Sequence, residues 1–175
     1  MIFNGIREVI HINSTIVILR GNSGSGKTTV AKDLQKLLGH NTLMISQDVI
    51  RRQMLYAKDG PDSPAISLLI NLIEYGKKHY SFVILEGIMN SKWYKPLFQV
   101  IQEEYSDSIH AYYFDLPFEE TLKRHETKPN HNEFGENEIR RWWNEKDYIG
   151  FIPEIIIGKE QTEERIVTMI MNELN

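Results

Sequence analysis

Residues Gly21, Asn22, Ser23, Gly24, Ser25, Gly26, Lys27 and Thr28 read G-x-x-x-x-G-K-T, with a second threonine at Thr29. That spacing is a way of holding phosphate. Glycines at 21, 24 and 26 let the backbone curl with its N–H groups inward, where a Cβ would obstruct an anion. The helix that follows offers its free N–H groups and the positive end of its dipole to the same anion. Lys27 can reach the β- and γ-oxygens of a nucleoside triphosphate, Thr28 carries a hydroxyl suited to Mg²⁺, and Thr29 is placed for a further phosphate contact. A glycine-rich turn with a chance lysine needs neither a buried strand before it nor an amphipathic helix after it. Here "TIVIL" (15–19) precedes the loop, and Val30, Leu34, Leu37 and Leu38 follow at helical spacing. Gly21 to Thr29 is therefore a Walker A phosphate-binding loop.

Two carboxylates are spaced to share that loop's cleft. Asp48, in "SQDVIRR", falls just past the second apolar run, at the edge where α/β sheets place ligands. An aspartate there can take a proton from a substrate hydroxyl while aiming it at a γ-phosphate. It can equally cap the next helix. Arg51 and Arg52 follow in the first turn, either as a clamp on an anionic part of the substrate or as solvated surface charges. Glu86, in "FVILEG", ends the third apolar run, where an acid usually assists Mg²⁺; aspartate is commoner there, and glutamate can act through water or orient the acceptor hydroxyl. Gly87 beside it allows close backbone approach. Arg124 and Lys128, one helical turn apart, and Arg140 and Arg141 are the cations that could cover a transferring phosphoryl group. Trp142 and Trp143, in "WWNEKDY", could stack a substrate ring but read first as core or packing residues.

The elements that must position these groups alternate. The runs "TIVIL", "TLMIS" (42–46), "FVIL" (82–85), "HAYYF" (110–114) and "EIII" (154–157) are continuous rather than alternating, which predicts strands buried on both faces of a parallel sheet. Between them lie helical patterns. Ser63 and Pro64 open one that Gly76 can end, Pro117 opens another with Phe118 and Leu122 on one face, and a last helix starts at Glu163 and Glu164 and buries Ile166, Val167, Ile170 and Leu174. Strand and helix in alternation predict a three-layer α/β fold with a mainly parallel sheet, as one domain over residues 1–175. The polar stretch 123–141 breaks the apolar rhythm and reads as a surface excursion or a small lid.

Composition narrows the chemistry. With 20 Lys and Arg against 24 Asp and Glu, the net charge is −4, which gives no electrostatic reason to expect nucleic acid as the main partner. The absence of cysteine excludes disulfides and thiolate metal sites and fits a cytoplasmic protein. No basic segment followed by an apolar core opens the chain and no apolar run reaches membrane-spanning length, so neither a secretory signal nor a membrane is expected. The six histidines show no metal spacing. No N-K-x-D follows the fourth run, so a Ras-like guanine loop is not visible.

Taken together, "GNSGSGKTT", the acid in "SQDVIRR", "VILEG", the segment beginning "LKRHETK" and the last strand and helix resemble the small P-loop kinases grouped around chloramphenicol phosphotransferase, zeta toxin, gluconate and shikimate kinases and polynucleotide kinase. The likeness spans nearly the whole chain. It implies a P-loop NTPase fold whose five strands are ordered 2-3-1-4-5, with ATP and Mg²⁺ as cofactors and phosphoryl transfer to a hydroxyl of a small-molecule acceptor. Under it, Lys27, Asp48 and Arg124 are the catalytic candidates, with Asp48 as base or substrate anchor and Arg124 as the lid arginine. Lys128 stands where many relatives have a second arginine. "IIIGKEQT" is where an adenine would rest. The acceptor class stays open among nucleoside, sugar, antibiotic or similar. A 5′-hydroxyl polynucleotide kinase and a non-catalytic ATP-binding switch stand as alternatives, and oligomeric state is not readable.

Overall fold

The computed structural model describes residues 13–126, 140 and 143–174, with 124–126 described through their backbone only. β1 (Thr15–Gly21) leads into α1 (Lys27–Leu38) and β2 (Thr42–Ser46). A π-helical turn (Val49–Met54) and α2 (Pro64–His79) precede β3 (Phe82–Gly87). Then come α3 (Lys95–Tyr105), β4 (Ile109–Phe114), α4 (Phe118–Glu126), β5 (Ile155–Ile157) and α5 (Glu163–Glu173). The sheet runs β2-β3-β1-β4-β5, with each neighbouring pair parallel. The expected strand order is the observed one.

The apolar runs are continuous because the sheet is covered on both faces. Along β1, Ile16 and Ile18 join Leu69, Ile73, Leu97 and Phe98 of α2 and α3, whereas Val17 and Leu19 join Val30, Leu34, Ile166 and Ile170 of α1 and α5. Successive side chains alternate between faces, so both sets must be apolar. β1 lies between β3 and β4, pairing Leu19 with Glu86 on one side and Gly21 with Phe114 on the other. The phosphate loop thus leaves the centre of the C-terminal sheet edge.

Three local expectations are corrected. Gly76 does not end α2, which runs to His79. A Cβ at Gly76 would come within 2.7 Å of Val83, so the glycine is there to let the helix lie close on β3. Leu37, in the last turn of α1, is exposed, while Val30, Ala31 and Leu34 carry the contact. β5 is not buried on both faces. Among the described residues it is an edge strand paired only to β4, with Ile155 and Ile156 each more than two-fifths exposed. The Ser63 and Pro64 start of α2 is as expected, the Ser63 hydroxyl accepting from the Ala65 N–H. No helix among the described residues is long and apolar enough to cross a membrane.

Candidate active site

β1 ends in the glycine that the loop requires. Gly21 has φ +137° and Gly24 φ +81°, both in the region that favours glycine, and a Cβ at either would meet backbone: Phe114 O at 2.5 Å and Thr121 O at 2.9 Å. Gly26, at φ +96°, is the N-cap of α1, so the helix starts with its amides turned to the loop. Lys27 is buried in the loop it follows. Its Nζ donates to the Asn22 carbonyl at 2.7 Å and to Ser25 Oγ at 3.0 Å. Ser25 Oγ in turn donates to the Asn22 carbonyl at 2.9 Å. A lysine held inside the loop by one carbonyl and one hydroxyl is placed to answer an anion there.

Glu86 lies buried near the end of β3, beside the phosphate loop. The carboxylate is 3 % exposed, and each oxygen takes one hydroxyl: Thr28 donates to Oε2 at 3.1 Å and Ser46 to Oε1. These three residues come from the ends of β3 and β2 and from α1, brought together because β2 pairs with β3 so that Ser46 faces Glu86. One carboxylate and two hydroxyls are hard oxygen ligands of the kind Mg²⁺ takes beside substrate phosphates. Among the described residues no group of three or more His, Cys, Asp or Glu could hold a metal by itself. The donor set fits an ion that shares its coordination with phosphate and water.

Asp48 lies two residues past Ser46, one strand away from Glu86 along the same edge. It makes no capping bond to the turn that follows. Its Oδ1 instead accepts from Arg51 at 2.9 Å and pairs with Arg52 Nε at 2.8 Å. Arg51 also donates to the Ala57 carbonyl at 3.2 Å, and its Nε lies 3.9 Å from Asp59. The two arginines are therefore tied to the aspartate rather than solvated separately. Behind them Gln47 and Tyr94, both buried, form a chain that sequence reading missed. Gln47 Nε2 donates to the Tyr94 hydroxyl at 2.7 Å, which donates to Asp59 at 2.6 Å. Burial, then the hydrogen bond to Asp59 and its charge, pushes the Tyr94 phenol well above the ordinary tyrosine range. Gly87 has its reason here, since a Cβ would lie 2.7 Å from Gln47 Cβ.

Arg20 was also missed. It is fully buried at the end of β1, where it donates to the Met89 carbonyl at 2.8 Å and pairs with Asp147 at 3.0 Å and Glu154 at 2.7 Å. The rings of Phe98 and Tyr113 flank its guanidinium. A lone cation closing the apolar run "TIVILR" was the available signal. Of the expected lid, 123–141, α4 carries Arg124, whose side chain lies outside the described residues, as do Lys128, Arg141 and Trp142. Arg140 stacks over the Phe118 ring at 4.3 Å, and Trp143 meets the same ring edge-on at 5.2 Å, as a packing residue should.

A buried strand, a glycine loop and a helix holding lysine and threonine above an acid on the next strand define a P-loop phosphate site. The profile of the AAA domain family matches residues 16–145, and the chain belongs to that family. No curated protein sequence matches it. Its fold is that of the small P-loop kinases. A gluconokinase from Sinorhizobium meliloti 1021 is similar over 94 % of this chain and 93 % of its own, at TM-score 0.63 and 14 % identity. The Deinococcus radiodurans tunicamycin resistance protein is similar over 93 % and 96 %, at 0.67 and 17 %. The Mycobacterium tuberculosis APS kinase, solved with AMPPNP and APS, is similar over 92 % and 97 %, at 0.65 and 16 %.

Proposed function

We propose that this protein is an ATP- and Mg²⁺-dependent kinase of the cytoplasm that moves the γ-phosphate to a hydroxyl of a small molecule. One observation carries the reading. The Thr28 and Ser46 hydroxyls converge on buried Glu86 directly beneath the phosphate loop, with Asp48 at the same sheet edge one strand away. The neighbours named gluconokinase and APS kinase support a small acceptor.

In this reading the loop amides and Lys27 hold the β- and γ-phosphates, while Thr28 and Glu86 hold Mg²⁺, directly or through water. When bound, the ion neutralises phosphate charge. Asp48 accepts the proton of the acceptor hydroxyl as its oxygen bonds to the γ-phosphorus. The bond from that phosphorus to the β–γ bridging oxygen breaks, and ADP leaves. Arg51 and Arg52 set the direction of Asp48 and border the acceptor. Arg124 supplies positive charge over the transferring group. The turn that carries Asp48 also exposes Met54 and, just beyond it, Tyr56 at φ +49°, side chains suited to an acceptor with apolar surface.

The test is transfer from γ-labelled Mg·ATP into pooled nucleosides, sugars, hydroxylated antibiotics, nucleotide sugars and 5′-hydroxyl oligonucleotides. Lys27→Ala is expected to lower transfer by roughly 10³-fold, and Glu86→Gln and Asp48→Asn by roughly 10²-fold each. Label in the oligonucleotide pool alone would make the protein a polynucleotide kinase. ATP bound without transfer to any pool, with Asp48→Asn indistinguishable from wild type, would make it a nucleotide switch.

A further inference from the structure

Asn22 fills a position that the loop pattern leaves free, yet both ends of its carboxamide are used. Nδ2 donates to the Asn144 carbonyl at 2.7 Å, and Oδ1 accepts from the Asn144 N–H at 2.9 Å. The residue is only 5 % exposed. A carboxamide paired with both backbone groups of one residue has a single orientation, because rotating it places like groups together.

The partner is itself fixed. The Asn144 carbonyl also accepts from the Tyr113 hydroxyl at 3.2 Å, and its side-chain oxygen accepts from Asn90 Nδ2 at 3.1 Å. Three residues on, Asp147 is held by Arg20 and by the Ser91 N–H. The arm 144–147 is thus bound to residues at or just past the ends of β1, β3 and β4. The main-chain carbonyl of Asn22 faces the other way in function: it is the one that receives the Lys27 ammonium and the Ser25 hydroxyl.

We propose that Asn22 is a positioning residue, whose side chain transmits the fixed arm at Asn144 to the peptide that sets the Lys27 ammonium. The inference rests on the kinase reading for the role of Lys27, but its test needs no acceptor. Removing the carboxamide leaves the loop sequence able to curl while freeing the peptide, so the nucleotide must pay for ordering it.

The experiment is calorimetric titration of the full chain with Mg·ATP, alongside thermal melting and amide hydrogen exchange. Asn22→Ala is expected to bind roughly 10-fold more weakly, the worth of one to two buried hydrogen bonds, and the Asn144 amide is expected to exchange faster. Tyr112→Phe removes a hydrogen bond to Glu173 at the end of α5 and serves as the comparison. It should lower the melting temperature while keeping Mg·ATP affinity, so instability alone does not imitate the effect. Asn22→Ser, too short to reach both groups, should behave as Asn22→Ala and carries the test if the alanine variant does not fold. An Asn22→Ala protein that is folded and binds within two-fold of wild type overturns the proposal, as does rapid exchange of the Asn144 amide in the wild type. Wild type that binds no Mg·ATP overturns the kinase reading and this inference with it.

Discussion

The two sides of the cleft are built differently. On the phosphate-loop side, Lys27, Glu86, Asn22 and Arg20 are all less than a tenth exposed; Arg20, Asn22 and Glu86 are hydrogen-bonded to partners from distant parts of the chain, and Lys27 to the loop that Asn22 anchors. On the side of the π-helical turn, the Asp48 side chain is 56 % exposed and is paired with arginines three and four residues along. Met54 and Tyr56 beside it face water. The phosphate of every nucleoside triphosphate has the same shape, so its cradle can be rigid and recur as a motif. An acceptor varies between proteins, and in the proposed reading the surface that takes it is the exposed turn beside Asp48. Rigid placement stabilises a transition state without reorganisation, whereas exposed pairs contribute little to the fold.

The sharpest way to break this contrast is at Arg20. Its two carboxylate partners, Asp147 and Glu154, are 13 % and 2 % exposed. Removing the cation leaves them buried without their counter-charge. Arg20→Met is expected to lower the unfolding free energy by roughly 3–5 kcal/mol, read from urea denaturation. A loss below about 1 kcal/mol would mean that the phosphate side owes its order to the loop alone.

A smaller effect is expected at Tyr94, the buried backing of the exposed side. Tyr94→Phe strands the Gln47 amide and should cost roughly 1–2 kcal/mol at neutral pH. The sign of its pH dependence follows from the direction of the shift. The folded phenol is held above its unfolded value of about 10, so its contribution is complete below pH 10 and is lost as pH rises through the folded value. Tyr113, pushed up to about 12 mainly by burial, marks the same window. Urea midpoints should hold steady from pH 7 to 9 and fall above pH 10, less steeply for Tyr94→Phe than for wild type. A flat profile to pH 11 would remove the buried phenols from the account.

How much of this was legible follows the same division. The Walker A loop, the five strands and the acid at the end of β3 were readable because each is a local pattern: a spacing, an apolar run, a carboxylate closing it. Gly76 misled because a glycine late in a helical pattern reads the same whether it caps the helix or lets it lie against a sheet, and only Val83 on the next strand distinguishes the two. Arg20 with Asp147, and Asn22 with Asn144, are pairs separated by 127 and 122 positions, with nothing in either neighbourhood to announce the other. Asp48 falls at the sheet edge as its place in the sequence implied, but its pairing with both arginines was not among the readings given to Arg51 and Arg52, a substrate clamp or solvated charges. A side chain on an exposed turn has many partners within reach.

The smallest expected effect on stability is at Arg52, and it bears most directly on the comparison. Its guanidinium shares Asp48 Oδ1 with Arg51, and both members of the Arg52 pair are more than a third exposed. Solvent screening and the cost of holding two side chains still leave such a pair worth about 0–1 kcal/mol. Arg52→Gln should therefore unfold within about 1 kcal/mol of wild type. If this side is built for the acceptor, the same variant should raise the acceptor KM by roughly 10-fold and leave the KM for ATP unchanged, since a uniform contact with the acceptor is what has been removed. A fall in stability beyond 2 kcal/mol would show that the turn is as structural as the loop opposite. An equal rise in both KM values would place Arg52 with the phosphates instead. Only the split between the two substrates assigns the turn to the acceptor, because position at the sheet edge is common to both sides of the cleft.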